Sequence, residues 1–154
     1  MGDIARKLSV LAMIAKELNE RHIVWAVGAS MLLYFKNKVP DFHDIDIMVS
    51  EDDVEAVKDI LLRYGSLQPP NPNARYKTKC FLEFSIDGVD IDVIAGFIIV
   101  NDNREYYFPL QAQDIQNYVM LGDTEIPLQS LSEWRKYYLL MGRMEKVKII
   151  DGFV

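Results

Sequence analysis

The sequence predicts an α+β fold in which helices pack on a mixed β-sheet. The predicted elements follow the order α-β-α-β-α-β-β, which alternates helices with strands before two consecutive strands. Asp87-Gly88 is a two-residue turn signal that joins antiparallel strands, so the sheet cannot be purely parallel. Half of the 154 residues are hydrophobic, which is enough for one buried core. We therefore expect a single domain over residues 1–154.

The first half of the chain alternates between helical and extended patterns. Apolar residues at helical spacing predict an amphipathic helix over residues 3–20. A continuous apolar run predicts a buried strand over residues 23–27, and a short helix follows at 31–35. Alternating acidic and apolar residues predict a strand over 44–49. An acidic first turn after Ser50 then predicts a helix over 51–64.

The second half is richer in strands. Three prolines predict a loop over residues 65–75, which we expect to form a rim beside a site. Strands are then predicted over 77–86, 89–94, 97–100, 106–110 and 124–128, with a turn at 101–103. A closing helix is predicted over 131–143, and either Ser130 or Ser132 supplies its cap.

Charge and cysteine content exclude several classes of function. The net charge of −6 argues against nonspecific binding of nucleic acid, which needs a basic surface. Cys80 is the single cysteine, so no internal disulfide can form and a reducing cytoplasm is expected. No apolar run in the sequence is long enough to cross a membrane, so no membrane partner is expected.

Two predicted strands carry aspartates at positions i and i+2. Asp44 and Asp46 lie on the first strand, and Asp90 and Asp92 lie on the second. Side chains two residues apart in a strand share one face, so each pair projects together. Such like charges repel each other unless a cation lies between them, and Mg²⁺ favours one or two carboxylates with substrate phosphates. The alternative is a half-exposed strand whose polar face meets water.

A glycine-containing turn precedes the first aspartate pair. Gly28-Ala29-Ser30 lies at a junction between a predicted strand and a predicted helix. Glycine allows a backbone to approach a ligand closely, and the start of a helix offers unpaired N–H groups that suit phosphate. The Ser30 hydroxyl adds a further donor.

Taken together, these motifs resemble the signature of the polymerase-β-type nucleotidyltransferase superfamily. The resemblance covers residues 23–97 and is closest to the small, minimal members and the aminoglycoside nucleotidyltransferases. The closing segment, from residue 126 to 143, is also similar to that of small bacterial and archaeal members. The residues that carry the signature are Gly28, Ala29 and Ser30, then Asp44-Ile45-Asp46-Ile47, and an acid on a later strand.

The resemblance implies a reaction and a role for each motif residue. Gly28, Ala29 and Ser30 would bind the phosphates of a nucleoside triphosphate such as ATP. Asp44 and Asp46 would ligate Mg²⁺, and Asp92 would complete a site for two ions and help deprotonate an attacking hydroxyl. Asp90 is the alternative third carboxylate. The hydroxyl would attack the α-phosphorus and release pyrophosphate.

The acceptor and the oligomeric state stay open at this stage. The acceptor can be an aminoglycoside-like sugar or a residue on a protein or RNA, and the acidic balance favours a small or basic one. Because so short a chain shows no separate acceptor domain, a homodimer would supply part of the pocket. Two alternatives remain: a non-catalytic member that binds nucleotide or protein, such as half of a toxin–antitoxin pair, and an interaction domain with merely superficial acids.

Two basic residues near the C-terminus, Arg143 and Lys146, also have two interpretations. In the first interpretation, these residues contact phosphate. The interpretation that the sequence favours is a favourable interaction with the C-terminus of a helix, whose partial charge is negative.

Overall fold

The computed structural model describes residues 2–70 and 77–152, so residues 71–75 of the predicted loop lie outside the described residues. Within these ranges the chain forms five α-helices and nine strands. The helices are α1 (Asp3–Glu20), α2 (Ala29–Phe35), α3 (Val54–Leu62), α4 (Leu131–Met141) and α5 (Met144–Asp151). The strands are β1 (Trp25–Val27), β2 (Ile45–Val49), β3 (Ser66–Leu67), β4 (Cys80–Ile86), β5 (Val89–Ala95), β6 (Phe97–Asn101), β7 (Arg104–Phe108), β8 (Asn117–Leu121) and β9 (Thr124–Leu128).

Seven of these strands form one mixed sheet in the order β3-β4-β5-β2-β1-β9-β8, and β6 and β7 form a separate hairpin. The pairs β2–β5 and β1–β9 are parallel, and the remaining pairs are antiparallel. The predicted α+β class with a mixed sheet and flanking helices is therefore confirmed. No described helix combines the length and apolarity that crossing a bilayer requires.

The core lies against both faces of this sheet. Ile45 and Ile47 are fully buried on the face of β2 opposite to Asp46. The amphipathic helix α1 buries Leu11, Ile14 and Leu18, and it contacts α3, β5 and β9. Helix α2 packs on β2 and α4. Helices therefore cover the sheet, and the acidic face of β2 is the one that α4 and α5 approach.

The predicted hairpin at Asp87-Gly88 is confirmed, and it sets the register of the central strands. Both turn residues have positive φ angles, 53° and 76°, as a two-residue turn between twisted strands requires. Ile86 pairs with Val89, and the pairing continues to Cys80 and Ala95. The strand begins at Cys80 and not at the predicted residue 77. Before it, the Thr78 hydroxyl accepts a hydrogen bond from the Ile98 N–H at the start of β6.

Other boundaries differ from the prediction in ways that local chemistry explains. The closing helix ends at Met141 because Gly142 adopts a left-handed conformation, with φ of 75°, and α5 then starts as an unpredicted helix. Strand β8 was also not predicted, although Gly122-Asp123 is a hairpin signal between it and β9. Ser130 is the cap of α4: it forms a capping box with Glu133.

Smaller corrections concern the neighbouring segments. The first strand covers three of the five predicted residues, and residues 51–53 form a 3₁₀ turn before α3. The two-residue strand β3 lies in the predicted loop and pairs with Ser85 and Phe84 of β4. Strand β7 is shifted by two residues toward the N-terminus, to 104–108, because the tight turn at 102–103 starts it earlier.

A buried lysine fixes the segment that leads into β2. Lys7 is 7% exposed, and its Nζ donates to the Phe42 carbonyl at 2.6 Å and pairs with Asp3 at 3.0 Å. The same ammonium lies 5.2 Å from the centroid of the Phe42 ring. Because Phe42 precedes Asp44 by two residues, this contact positions the first acid of the motif.

Replacing Lys7 tests this anchoring role. We expect Lys7→Met to lower the free energy of unfolding by about 2 kcal/mol, because it leaves a buried carbonyl without its charged donor. Lys16→Met on the exposed face of the same helix is the matched control and should change stability by less than about 0.5 kcal/mol. Urea unfolding of both variants measures the difference, and equal effects would contradict the anchor.

Candidate active site

The sheet register places the predicted acids side by side. Strands β2 and β5 are parallel neighbours in which Asp46 lies directly opposite Asp92. Asp44 directly precedes β2, on the same side as Asp46 because the two residues are two positions apart. Asp90 is exposed and lies one pleat away from Asp92 on β5. Of the two candidates for the third carboxylate, Asp92 is therefore the one that faces Asp46.

A fourth acid, Glu83 on β4, was missed by the sequence analysis. It pairs with Asp92 across the antiparallel β4–β5 register, so Glu83, Asp92 and Asp46 form a row over three neighbouring strands. The signal was present in the sequence, because a two-residue turn at 87–88 fixes residue 83 opposite residue 92.

A cavity of about 300 Å³ lies over this acidic row. Asp44, Asp46 and Asp92 line it, together with Ala29 and Ser30 of the predicted phosphate turn. Its apolar wall comes largely from β4 to β6 and from α4, and its basic residues come from the chain around the start of α5. These further lining residues are Thr78, Phe81, Ile94, Phe97, Trp134, Tyr138, Met141, Arg143 and Lys146. The structure thus brings the predicted acids and two of the three turn residues together.

Gly28, the remaining turn residue, does not line the cavity. A Cβ atom there would lie 2.6 Å from Gln129 Oε1 and 2.7 Å from the Trp134 indole. Trp134 is 3% exposed, and its Nε1 donates to the same Gln129 oxygen at 2.7 Å. The close packing of α4 therefore requires glycine at this position. The sequence had suggested a different reason, the close approach of a ligand to the backbone.

Ala29 has an unusual backbone conformation for a residue with a side chain. Its φ angle is +55°, in the left-handed region that favours glycine. The Gly28 N–H donates to the Asp46 carbonyl at 3.0 Å, so the turn is tied to the acidic strand directly. Backbone strain of this kind is often found at ligand-binding turns, where neighbouring contacts hold it in place.

Burial and mutual repulsion alter the acidity of the three carboxyls. Asp46 lies deep in the protein, with its exposed part toward the cavity, and burial beside Asp92 raises its pKa well above the ordinary value. Burial raises the pKa of Asp92 to about 6, with further contributions from Asp44 and Glu83. Burial and the charge of Asp90 raise the pKa of Asp44. The negative charge of Asp92 contributes to the rise in the pKa of Asp46, and a bound cation would relieve this repulsion.

The three carboxyls suit Mg²⁺, although they do not form a closed coordination shell by themselves. Within residues 2–70 and 77–152, no three His, Cys, Asp or Glu side chains surround a common cation position. Magnesium commonly uses one or two carboxylates and completes its shell with water and substrate phosphates. The interacting carboxyls of Asp46 and Asp92, with Asp44 on the same cavity wall, fit that coordination chemistry.

Solved structures with the same fold include nucleotidyltransferases. A Thermotoga maritima protein provisionally assigned as a nucleotidyltransferase (TM1012) matches with a TM-score of 0.75 and 23% identity, over 96% of this chain and 92% of that one. ANT(2″)-Ia in complex with adenylyl-2″-tobramycin matches with a TM-score of 0.63 and 10% identity, over 94% and 87% of the two chains. The lincosamide antibiotic adenylyltransferase LnuA, with lincomycin bound, gives 0.60 and 14% over 94% and 96%.

These structural matches confirm the fold that the resemblance implied. No protein-family profile matches the sequence, and no curated protein sequence matches it significantly. The nucleotidyltransferase fold of this chain is thus shown by comparison of structures and not by comparison of sequences.

Exchanging glycine and alanine at the turn should have opposite effects at adjacent positions. We expect Gly28→Ala to lower the free energy of unfolding by about 1–3 kcal/mol, because the added methyl group displaces Trp134 or Gln129. Ala29→Gly should raise it by about 0.5–1 kcal/mol, because glycine relieves the left-handed strain. Chemical denaturation of both variants measures the sign, and two losses of stability would contradict the geometry of the turn.

The raised pKa of Asp92 predicts a pH-dependent stability in metal-free buffer. Because the folded pKa of about 6 exceeds the ordinary 3.8, the ionised carboxyl destabilises the fold, and stability falls as pH rises from about 4 to about 7. Asp92→Asn should therefore be more stable than the wild type by about 1–2 kcal/mol at pH 7.5, after allowance for partial exposure, and equal to it near pH 4.

Denaturation in the presence of a chelator, across that pH range, measures this effect. Asp90→Asn is the matched control, because it removes the same charge from an exposed position on the same strand. A gain that is independent of pH, or equal in the control, would contradict the assignment to Asp92.

Proposed function

We propose that this protein is a metal-dependent nucleotidyltransferase that transfers a nucleoside monophosphate from a nucleoside triphosphate to a hydroxyl acceptor. The observation that carries the proposal is the single cavity lined by Asp44, Asp46 and Asp92 beside the turn at Ala29 and Ser30. Carboxylates at one wall and the start of α2 at another match the two ends of a magnesium–triphosphate complex.

Each residue then has a specific role in the reaction. Asp44, Asp46 and Asp92 would hold the ions, of which we expect two, and the bound ions would supply charge neutralisation at the phosphates and at the attacking oxygen. Asp92 helps to accept the hydroxyl proton. The acceptor oxygen forms a bond to the α-phosphorus, and the bond to the bridging oxygen of the leaving pyrophosphate breaks.

The turn at residues 28–30 binds the β- and γ-phosphates in this proposal. At the start of α2, the Leu32 N–H donates weakly to the carbonyl of the N-cap residue Gly28 at 3.4 Å. The first N–H groups of a helix have no partner within the helix, which suits them to bind an anion. Ser30 adds its hydroxyl, and Gly28 contributes by letting Trp134 pack closely enough to hold the turn in place.

The surroundings of the acids favour a small, cationic hydroxyl compound as the acceptor. A second cavity of about 230 Å³ adjoins the first, because Asp44 and Asp92 line both. Glu83 and Asp90 also line it, with Gln68, Phe84 and Ser85, so its wall is strongly negative. The fold neighbours solved with adenylyl-2″-tobramycin and with lincomycin make an antibiotic-like compound a reasonable first acceptor, and ATP a reasonable first donor.

Two further parts of the proposal concern the state of the protein in the cell. We propose that the protein is a homodimer in which the second copy completes the acceptor pocket. Light scattering tests this proposal, and a monomer in solution would contradict it. We also propose a cytosolic location, in keeping with Cys80, whose thiol has a pKa raised by burial and is therefore not activated as a nucleophile.

Asp46→Asn tests the function directly. Melting of the wild type should shift upward with Mg²⁺ and one of ATP, GTP, CTP or UTP, and the variant should lose that shift because a metal ligand is gone. Transfer to the acceptor should fall at least about 100-fold, while metal-free stability should stay equal or rise as like-charge repulsion disappears. Asp87→Asn, the same chemical change at an exposed turn, is the control and should behave as the wild type.

Other outcomes would favour the alternative functions. A nucleotide-dependent shift without transfer, in the wild type, would favour a non-catalytic nucleotide-binding protein, such as half of a toxin–antitoxin pair. No shift with any nucleotide would favour an interaction domain. If Asp46→Asn unfolded the protein, the acid pair would have a structural role and the site assignment would fail.

A further inference from the structure

Lys146 lines the same cavity as the three aspartates, and it occupies an electrostatically unfavourable place in its helix. It is the third residue of α5 (Met144–Asp151), where the helix macrodipole is positive and a cation is destabilising. Lys146 was expected to interact with the negative C-terminus of a helix, but it lies instead in the first turn of α5, after α4 has ended at Met141. A benefit outside α5 is needed to explain a lysine here.

The surroundings of Lys146 direct its charge into the cavity. Among the ion pairs in the described ranges, none includes Lys146, whereas Arg143 pairs with Glu145. Lys146 is half-buried, and it lines the same cavity as Asp46. Its ammonium is therefore near the acidic wall without forming an ion pair within the described ranges.

Helix α5 is held firmly enough to keep Lys146 in this position. The next residue, Val147, is 2% exposed and Ile150 is 8% exposed, so one face of the helix is buried in the core. At the far end, Asp151 accepts two hydrogen bonds from Arg135 of α4, at 2.8 Å and 3.0 Å. The position of the ammonium is thus set by the packing of α5 on α4.

We propose that Lys146 binds the terminal phosphates of the nucleoside triphosphate and stabilises the pyrophosphate that leaves. This inference rests on the proposed function and adds a residue to it. A triphosphate retains net negative charge even with Mg²⁺ bound, and an ammonium is a compact point charge suited to several phosphate oxygens in turn. The competing explanation is that Lys146 only balances the charge of Asp46.

The two explanations differ in how affinity depends on the number of phosphates. A lysine that contacts the terminal phosphates should increase the affinity for ATP and for free pyrophosphate. It should not change the affinity for AMP, which lacks those phosphates. A lysine that only balances Asp46 should become irrelevant once Mg²⁺ saturates the carboxylates. Measurements at saturating Mg²⁺ therefore separate them.

Calorimetric titration of pyrophosphate, ATP and AMP at saturating Mg²⁺ tests the inference. We expect Lys146→Met to weaken pyrophosphate and ATP about tenfold, which is about 1.4 kcal/mol, and to leave AMP within about twofold. Lys146→Arg should retain at least about a third of the wild-type affinity, because it keeps the cation. Lys148→Met, an exposed lysine two residues later on α5, is the matched control and should leave all three affinities unchanged. Melting temperatures of the free variants establish that each is folded.

Three results would overturn the inference. Unchanged pyrophosphate affinity in Lys146→Met would leave charge balance at Asp46 as its role. Equal weakening of AMP and ATP would indicate a general change in the cavity. If the wild type binds neither pyrophosphate nor ATP, the proposed function is overturned as well. If the wild type transfers nucleotide and Lys146→Met binds pyrophosphate and ATP equally well, only the role of the lysine is removed.

Discussion

The pairing of β2 with β5 is the constraint on which the rest of the site depends. It places Asp46 and Asp92 on neighbouring strands at the same level, where their carboxyls interact and repel. Parallel strands need a crossover connection, so this proximity requires α3 and the β4–β5 hairpin to return the chain to the edge of β2. The fold thereby holds two like charges close together, and their repulsion lowers the stability of the protein unless a cation binds between them.

A second constraint is the packing of α4 against the turn at residues 28–30. Gly28 leaves just enough space for the Trp134 indole, and Gln129 bridges the two by accepting the indole N–H while its own N–H donates to Val27. Ala29, which has the left-handed conformation, directly follows this closely packed glycine. The same helix therefore stabilises the core, shapes the strained turn and supplies part of the cavity wall, so these three properties cannot vary independently.

The charges around the cavity are arranged in opposition. Asp44, Asp46 and Asp92 line the cavity on the sheet side, and Glu83 lies one strand further, in the adjoining cavity. Lys146 approaches from α5, at a helix position that the macrodipole disfavours. An acidic wall alone would repel a triphosphate. A wall with a metal site and a cation on its other side can bind one, and this is the physical reason for assigning both groups to a single ligand.

Much of the fold and the site could be predicted from local sequence patterns. The two-residue period of a strand determines that Asp44 and Asp46 share a face. The turn at Asp87-Gly88 determines the β4–β5 register, including the Glu83–Asp92 pair. Both are consequences of backbone geometry over a few residues. By contrast, the choice of β5 as the neighbour of β2, the use of Gly28 for tryptophan packing, and the position of Lys146 depend on contacts between residues far apart in sequence. No local period encodes those contacts, because packing of whole elements against one another decides them.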